Sequence, residues 1–528
     1  MANYIERDTI TTNKVVLSQQ QMCQNYENML NNVTDMINKE GPIISTWIKF
    51  QIGSKNNKNP IIFDSSSTNP KNNLIASLSF NKNGAGTANS FTLVIQYDPF
   101  NMGQETADII EQLDEYVANA MSYDFLTDLD TMRGFIQYGY NAVSDNALVS
   151  PLYMFYLINA NTEVKFESGI STYTFEGVSI IGADSDNVAK FPAVENKKLL
   201  QVVIDTLYYW YGDNTRKPAH LSSGIEPIPN DYKYGIDISD DDFNDSVTIE
   251  SEDEKSGMSP IQYCQDLLNK YNLTESEKTS EIYNDYATTK DTLSYAQQPR
   301  YIIYFDDASQ TIRITHVVPK VTRNSSGDIT AITVSEEARL KIDYKFYWGQ
   351  QTQNIVIGWK PEVDTRLYLI RRARTTRYKA DLEQAEKSGN EQAIKGAKLS
   401  LEQNNDDLNE MFDAQLQILG IPADPPLGAL IPIIPTILET PSRTAGYYMI
   451  QSCSDNITTN GVYTTTLRLF RIRGIDDPVK ELTIPETDTQ QPNSTTETNS
   501  TPNTDGSGGS FSSGGGGGRR SVVAGGGR

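Results

Sequence analysis

The feature that most constrains this chain is a period-two alternation of apolar and polar residues, found in two well-separated regions. Leu74, Ala76, Leu78 and Phe80 alternate with polar or small neighbours, and so do Phe91, Leu93, Ile95 and Tyr97. Far downstream, Tyr447, Met449 and Gln451 alternate on one segment, and Tyr463, Thr465, Leu467 and Leu469 on the next. Successive strand residues point to opposite faces of a sheet, so these runs predict strands with one buried and one open face. The chain has 528 residues, enough for several cores. Its 29 tyrosines and abundant threonines suit pleated surfaces.

Between and around the strands, the spacing changes to three and four. Met22, Tyr26, Leu30, Val33 and Ile37 form a thin stripe on a polar helix, predicted to dock on the body or on a partner. A second helix is predicted from about Gly103 to Met132. A third is predicted over Glu195–Tyr211, which Gly212 can close. Ser259-Pro260-Ile261-Gln262 reads as a capped helix start, with Cys264 on the buried stripe that follows. The stretch from about 376 to 419 carries Ile394, Ala397, Leu401, Leu408, Met411 and Phe412 at helical spacing. Ser388-Gly389-Asn390 breaks it, so it predicts a helical hairpin standing out of a sheet.

The fold class expected is therefore α+β and mainly β. Residues 1–40 form an N-terminal helical extension, and 41–185 a first strand-rich domain with a helical insertion. Residues 186–299 form a helical middle region containing an acidic loop. Residues 300–484 form a second strand-rich domain carrying the 376–419 hairpin. Residues 485–528, rich in Ser, Thr, Pro and then Gly, are expected to be a flexible tail.

The chemistry is sparse. Asp plus Glu number 68 against 45 Lys plus Arg, a net charge of −23, which argues against a general nucleic-acid coat. The longest mainly apolar run, Ala429–Leu438, is interrupted by prolines and far short of the roughly 20 residues a membrane helix needs. No signal peptide is expected. Cys23, Cys264 and Cys453 are too scattered for a disulfide framework or zinc cluster, and only His220 and His316 are present. No nucleophile elbow, phosphate loop or metalloprotease motif occurs, so no catalytic, cofactor or metal residue is assigned. The acidic stretch 237–254 fits no calcium-loop frame and reads as a solvated loop; the alternative is a loose divalent-ion site. The one dense basic stretch, Arg366–Lys379, reads as a strand end entering the hairpin and balancing the chain's own acids; the alternative is contact with an acidic partner.

Two strand-rich stretches matter most. One is Ser171–Gly182; the other is the hairpin from Gly446-Tyr447-Tyr448 through Asn460-Gly461 to Tyr463-Thr464-Thr465-Thr466-Leu467. Asn-Gly is a strong hairpin-turn signal. The second stretch resembles the closing hairpin of phage tail baseplate hub proteins of the late-control-D type, related to secretion-system spike proteins. There Gly-x-Tyr opens one strand and Gly-Tyr-x-Thr-x-Leu the other; Val462 is an extra residue here. Gly420–Ile433 is similar to the strand entry that precedes it. The resemblance implies a structural virion protein: a tail baseplate hub, made in the host cytoplasm, joining tail tube to spike or tip. It implies that 41–185 and 300–484 are two related β-barrels, and that a homotrimer sets them in a pseudo-sixfold ring around a channel that DNA crosses without specific binding. The net charge, 3 × −23 = −69 for three chains, makes an acidic channel wall the expectation. It implies tape measure and baseplate wedge proteins as further partners, and neither enzymatic activity nor a cofactor. A receptor-binding or adhesin-like tail protein, or a carboxylate hydrolase, is the alternative function.

Overall fold

A computed structural model describes residues 17–40, 45–53, 61–65, 74–84, 87–100, 103–120, 133–140, 147–165, 169–179, 189–229, 234–271, 301–316, 320–323, 329–333, 340, 344–347, 355–362, 365–389, 393–394, 396–398, 413–437, 440–442, 444–458 and 461–474. The chain divides into two units, Met1–Thr483 and Ile484–Arg528. The expected flexible tail lies outside the described residues.

Helix α1 (Gln19–Glu40) precedes strands β1 (Thr46–Ile52), β2 (Ile61–Asp64), β3 (Ile75–Asn83) and β4 (Ser90–Tyr97). Helix α2 (Gln104–Ala120) leads to β5 (Arg133–Tyr140), β6 (Leu148–Val149), β7 (Tyr153–Lys165) and β8 (Ile170–Ser179). The middle stretch holds β9 (Ala189–Phe191), β10 (Val194–Lys198), α3 (Leu199–Tyr211), β11 (Gly235–Asp237), α4 (Asp240–Asp245), β12 (Thr248–Glu252), β13 (Lys255–Met258) and α5 (Pro260–Lys270). After these come β14 (Tyr301–Asp306), β15 (Thr311–His316), β16 (Lys320–Arg323), β17 (Ile329–Thr333), β18 (Tyr344–Tyr347), β19 (Val356–Pro361) and α6 (Thr365–Ser388). Strands β20 (Asp413–Leu419), β21 (Leu430–Ile437), β22 (Thr440–Pro441), β23 (Gly446–Thr458) and β24 (Tyr463–Gly474) complete the described chain.

The fold is mainly β, built on one large antiparallel sheet. Its strands run in the order β19-β20-β24-β23-β3-β4-β8-β7-β5-β1-β2. The two alternating regions of the sequence are thus joined edge to edge by the antiparallel pair β23–β3, from Ser452 opposite Asn83 to Thr458 opposite Ser77. Among the described residues this sheet does not form a closed barrel. Bulges refine the alternation. One between Ile75 and Ser77 turns Ile75 inward in place of Ala76. Others at Tyr447/Tyr448 and Ile450/Ser452 interrupt the pairing of β23 with β24. A shift at Leu157/Asn159 interrupts the pairing of β7 with β8.

Each half of the sheet covers its own core. Phe50, Phe80, Phe91, Leu93, Phe155 and Phe175 centre the first. Leu416, Ile418, Leu430, Ile450, Leu467 and Leu469 centre the second. Helix α1 packs on both: Met22, Cys23, Tyr26 and Leu30 on the second core, Val33 on the first. The polar-faced N-terminal helix is therefore a strap across the two halves. Gln19 Nε2 donates to Leu427 O at 3.0 Å, and Tyr304 OH donates to Gln19 Oε1 at 3.0 Å, fixing its start.

A third core forms around α3 and α5, with Leu199, Val203, Leu207, Cys264, Leu267 and Ile303. Ser259 Oγ caps α5 by accepting from Gln262 N at 3.2 Å, with Pro260 in its first turn. Gly212 ends α3 in an extended rather than a left-handed conformation, its N–H still donating to Tyr208 O. Strands β14 and β15, expected in the second sheet region, pair with β11 in a separate small sheet. Along β14, Tyr301, Ile303 and Phe305 face this third core, and Ile302 and Tyr304 face the second.

Three further expectations are corrected. The acidic stretch 237–254 is ordered rather than a loop. It contains α4, capped by Ser239, and β12, paired with β10. Several of its acids have partners: Asp237 binds Arg313 at 2.8 Å, and Glu252 binds Lys270 at 2.5 Å and Lys255 at 3.1 Å. The basic stretch is helical from Thr365, without a strand end, as its run of Arg, Leu and Ala favours. Residues 413–419, expected within the helical hairpin, form β20, because Ala414, Leu416 and Ile418 alternate into the second core. The bulk of the hairpin's second arm lies outside the described residues.

Candidate functional site

The two faces of the sheet at the β23–β3 junction differ sharply in chemistry. Cross-strand partners place Gln417, Thr466, Ser454, Asn81 and Ser90 in one row. Thr464, Asn456, Ser79, Thr92 and Glu176 form the next. All ten are exposed or half-buried. Nine are neutral hydroxyl or amide residues, so the chain's negative charge is not concentrated on these rows. They run without interruption across both halves, because the pairing at the junction keeps the register.

The opposite face is mainly apolar, and at the junction it becomes polar and charged. There Thr465, Asp455 and Phe80 are aligned, beside a row with Leu467, Cys453 and Lys82. Lys82 and Asp455 occupy inward positions of alternating strands, so their charges enter the core. Lys82 Nζ donates to Ala423 O at 3.0 Å, and lies 3.4 Å from Asp424 Oδ1 and 3.5 Å from Asp455 Oδ2. Around the ammonium stand the rings of Tyr153 at 5.1 Å, Phe80 at 5.7 Å and Tyr138 at 5.9 Å.

Both carboxylates are held. Tyr153 OH donates to Asp424 Oδ1 at 2.6 Å. Tyr138 OH and Thr465 Oγ1 donate to Asp455 Oδ2 and Oδ1, each at 2.6 Å. Tyr140 OH donates to Gly420 O at 2.9 Å, and Ile421 N to Thr465 Oγ1 at 3.0 Å. The close approach at Gly420 needs glycine: a Cβ there would meet the Tyr463 ring at 2.0 Å. Burial pushes the Asp424 carboxyl above its usual range, against the pull of Lys82. For Lys82, burial works against the charge, but Asp424 and Asp455 outweigh it and hold the ammonium. Burial, followed by the nearby acid, raises the Tyr138, Tyr153 and Cys453 groups.

A second polar network ties β15 to the middle stretch and the N-terminal segment. Arg313 binds Asp306 at 3.1 Å and Asp237 at 2.8 Å, and donates to Leu17 O. Of the other residues singled out in the sequence, Cys453 Sγ reaches Asp455 Oδ1 at 4.0 Å, whereas Cys264 and His220 lie elsewhere. Cys264 packs in the third core, its thiol raised by burial. His220 lies 2.7 Å from Asp240 and stacks on Phe243 at 3.8 Å. His316 stands opposite Tyr301 at the end of β15. Among the described residues, no group of three or more His, Cys, Asp or Glu side chains is placed to hold a metal ion. No helix of the described chain is long and apolar enough to cross a membrane. The triad of buried Lys82 and Asp455 with half-buried Asp424 was not singled out in the sequence. The available signal was a lysine and an aspartate at inward positions of otherwise apolar alternations.

No protein-family model matches the chain, and no curated protein sequence matches it. Solved structures do. A 43 kDa tail protein of prophage MuSo2 from Shewanella oneidensis is similar at TM-score 0.39 and 10% identity, covering 81% of this chain and 97% of that one. A tail protein from Neisseria meningitidis is similar at TM-score 0.40 and 9% identity, covering 81% and 96%. An E. coli component of the type VI secretion system, described as similar to T4 bacteriophage tail proteins gp27 and gp5, matches at TM-score 0.36 and 8% identity, covering 76% and 74%. The structural neighbours of this chain are thus phage tail proteins and secretion-spike-related proteins.

Proposed function

We propose that this chain is a structural protein of a phage-type tail, acting as the baseplate hub that joins tail tube to spike or tip. The observation that carries the reading is the unbroken sheet with a neutral, hydroxyl-rich face on both halves. Three copies arranged cyclically offer six sheet halves around one axis, a threefold assembly with a pseudo-sixfold face. On this reading each half is one of two related barrel-like units, residues 41–185 and 300–484. The polar rows from Gln417 to Glu176 line a central channel. Neutral hydroxyl and amide groups neither bind phosphate strongly nor repel it, which suits passage of DNA without specific contact. This replaces the acidic wall expected from net charge alone. The hairpin resemblance, Gly446-Tyr447-Tyr448 to Leu467, supports the same reading.

The partners are the tail tube and spike proteins, with tape measure and wedge proteins at the periphery. The protein resides in the virion and performs no catalysis. To test the channel, Asn456→Trp narrows the lumen without touching either core. Virions assembled with this variant are expected to adsorb but to fail in delivering DNA. Normal delivery overturns the lumen assignment.

A further inference from the structure

The proposed function leaves the Lys82–Asp424–Asp455 triad unused, and its geometry is more specialised than an ion pair requires. One ammonium faces two carboxylates in an aromatic enclosure, a costly arrangement for charges removed from water. Two carboxylates at comparable distance, each with its own tyrosine donor, are the parts of an amide-forming centre. We propose that Lys82 and Asp424 join in an intramolecular isopeptide bond, with Asp455 carrying the proton.

Each group has a role that its contacts define. Ala423 O accepts from Lys82 Nζ at 3.0 Å and orients the nitrogen beside the neighbouring side chain. Asp424 precedes Pro425, which restricts its backbone to extended conformations and helps fix its carboxyl. Tyr153 OH, at 2.6 Å from Asp424 Oδ1, is placed to stabilise the negative charge that develops on that oxygen. Asp455, at 3.5 Å from Nζ, is the proton acceptor, and Tyr138 and Thr465 fix both its oxygens.

The step balances without any outside reactant. Asp455 takes one proton from the Lys82 ammonium, and the freed amine attacks Asp424 Cγ. A C–N bond forms. The Cγ–Oδ2 bond breaks, and Oδ2 leaves as water with the proton held by Asp455 and a second proton from nitrogen. The third proton stays on the amide nitrogen, and Asp455 returns to its carboxylate. A buried ammonium and a half-buried carboxylate are replaced by one neutral amide and a released water. Because reacting groups held by a folded core need no diffusional encounter, folding itself supplies the effective concentration. The bond joins β3 in the first half to the loop before β21 in the second, stapling the junction that both halves share.

The decisive experiment is the intact mass of the full-length wild-type chain under denaturing conditions. The expected mass is one water below the sequence mass, with a proteolytic fragment linking the Lys82 and Asp424 peptides. The full sequence mass, with both peptides recovered free, overturns the proposal. Lys82→Arg is expected to restore the full mass. Asp455→Ala is expected to leave the bond unformed, and a linked peptide in that variant overturns the role given to Asp455. The wild-type measurement stands even where a variant fails to fold.

Discussion

The Tyr138 hydroxyl donates to Asp455 Oδ2 at 2.6 Å, although β5 and β23 stand five pairings apart in the sheet. The contact requires the sheet to curl until strands of the first half face the junction with the second. The junction is thereby held by backbone pairing on one side and by buried tyrosines on the other.

Removing that hydroxyl tests the curl. Tyr138→Phe leaves a buried carboxylate short of one donor and is expected to cost about 1–3 kcal/mol. Chemical denaturation should show the loss with an unchanged slope. A cost within experimental error would mean that Asp455 is satisfied without Tyr138.

Helix α1 is expected to stabilise both halves. Leu30 is buried against the second core, and Val33 beside it against the first. Leu30→Ala is expected to lose about 2–5 kcal/mol. Hydrogen exchange should quicken in β1 and β5 of the first half as well as in β23 and β24. Acceleration confined to the second half would contradict the strap.

Asp307 supplies a pH dependence. Its oxygens accept from Asn89 Nδ2 at 2.7 Å and from Tyr234 OH at 3.1 Å. Burial nonetheless outweighs these bonds and raises its carboxyl to about 7. The folded state therefore holds a proton that the unfolded state releases near pH 4. Stability from this group is greatest below the unfolded value and falls as pH rises toward 7, by at most about 1.4 kcal/mol per pH unit, and then levels. Asp307→Asn should flatten that slope. An unchanged slope would assign the pH dependence to other groups.

The basic face of α6 is expected to serve assembly rather than folding. Arg374, Arg377 and Lys379 are exposed. Replacing all three with Glu should leave the melting temperature nearly unchanged while weakening association with neighbouring chains in a salt-dependent way. Loss of the folded state instead would place the helix in the core.

Much of the sheet was legible because its signal is local. Phe91, Leu93 and Ile95 alternate, and β4 follows them closely. Helix α5 announced its start through Ser259 and Pro260. What sequence did not show is the partnering of distant segments. Nothing in Ser77 or Thr458 alone states that they face each other across the junction. Bulges escaped for a similar reason, since one extra residue in β3 shifts Ile75 inward without altering composition. Strand β20 was missed because Met411 and Phe412 extend a helical spacing up to its first residue. The triad was spread over positions 82, 424 and 455, and only the fold brings it together.

The central claim is that this chain closes into a threefold hub around the polar face of its sheet. Its most direct test is the particle mass of the purified full-length chain, measured alone and with its tail tube or spike partner. The account predicts a discrete species near three times 58.9 kDa, at least when the partner is present. A chain that stays monomeric or dimeric with both partners supplied would contradict it.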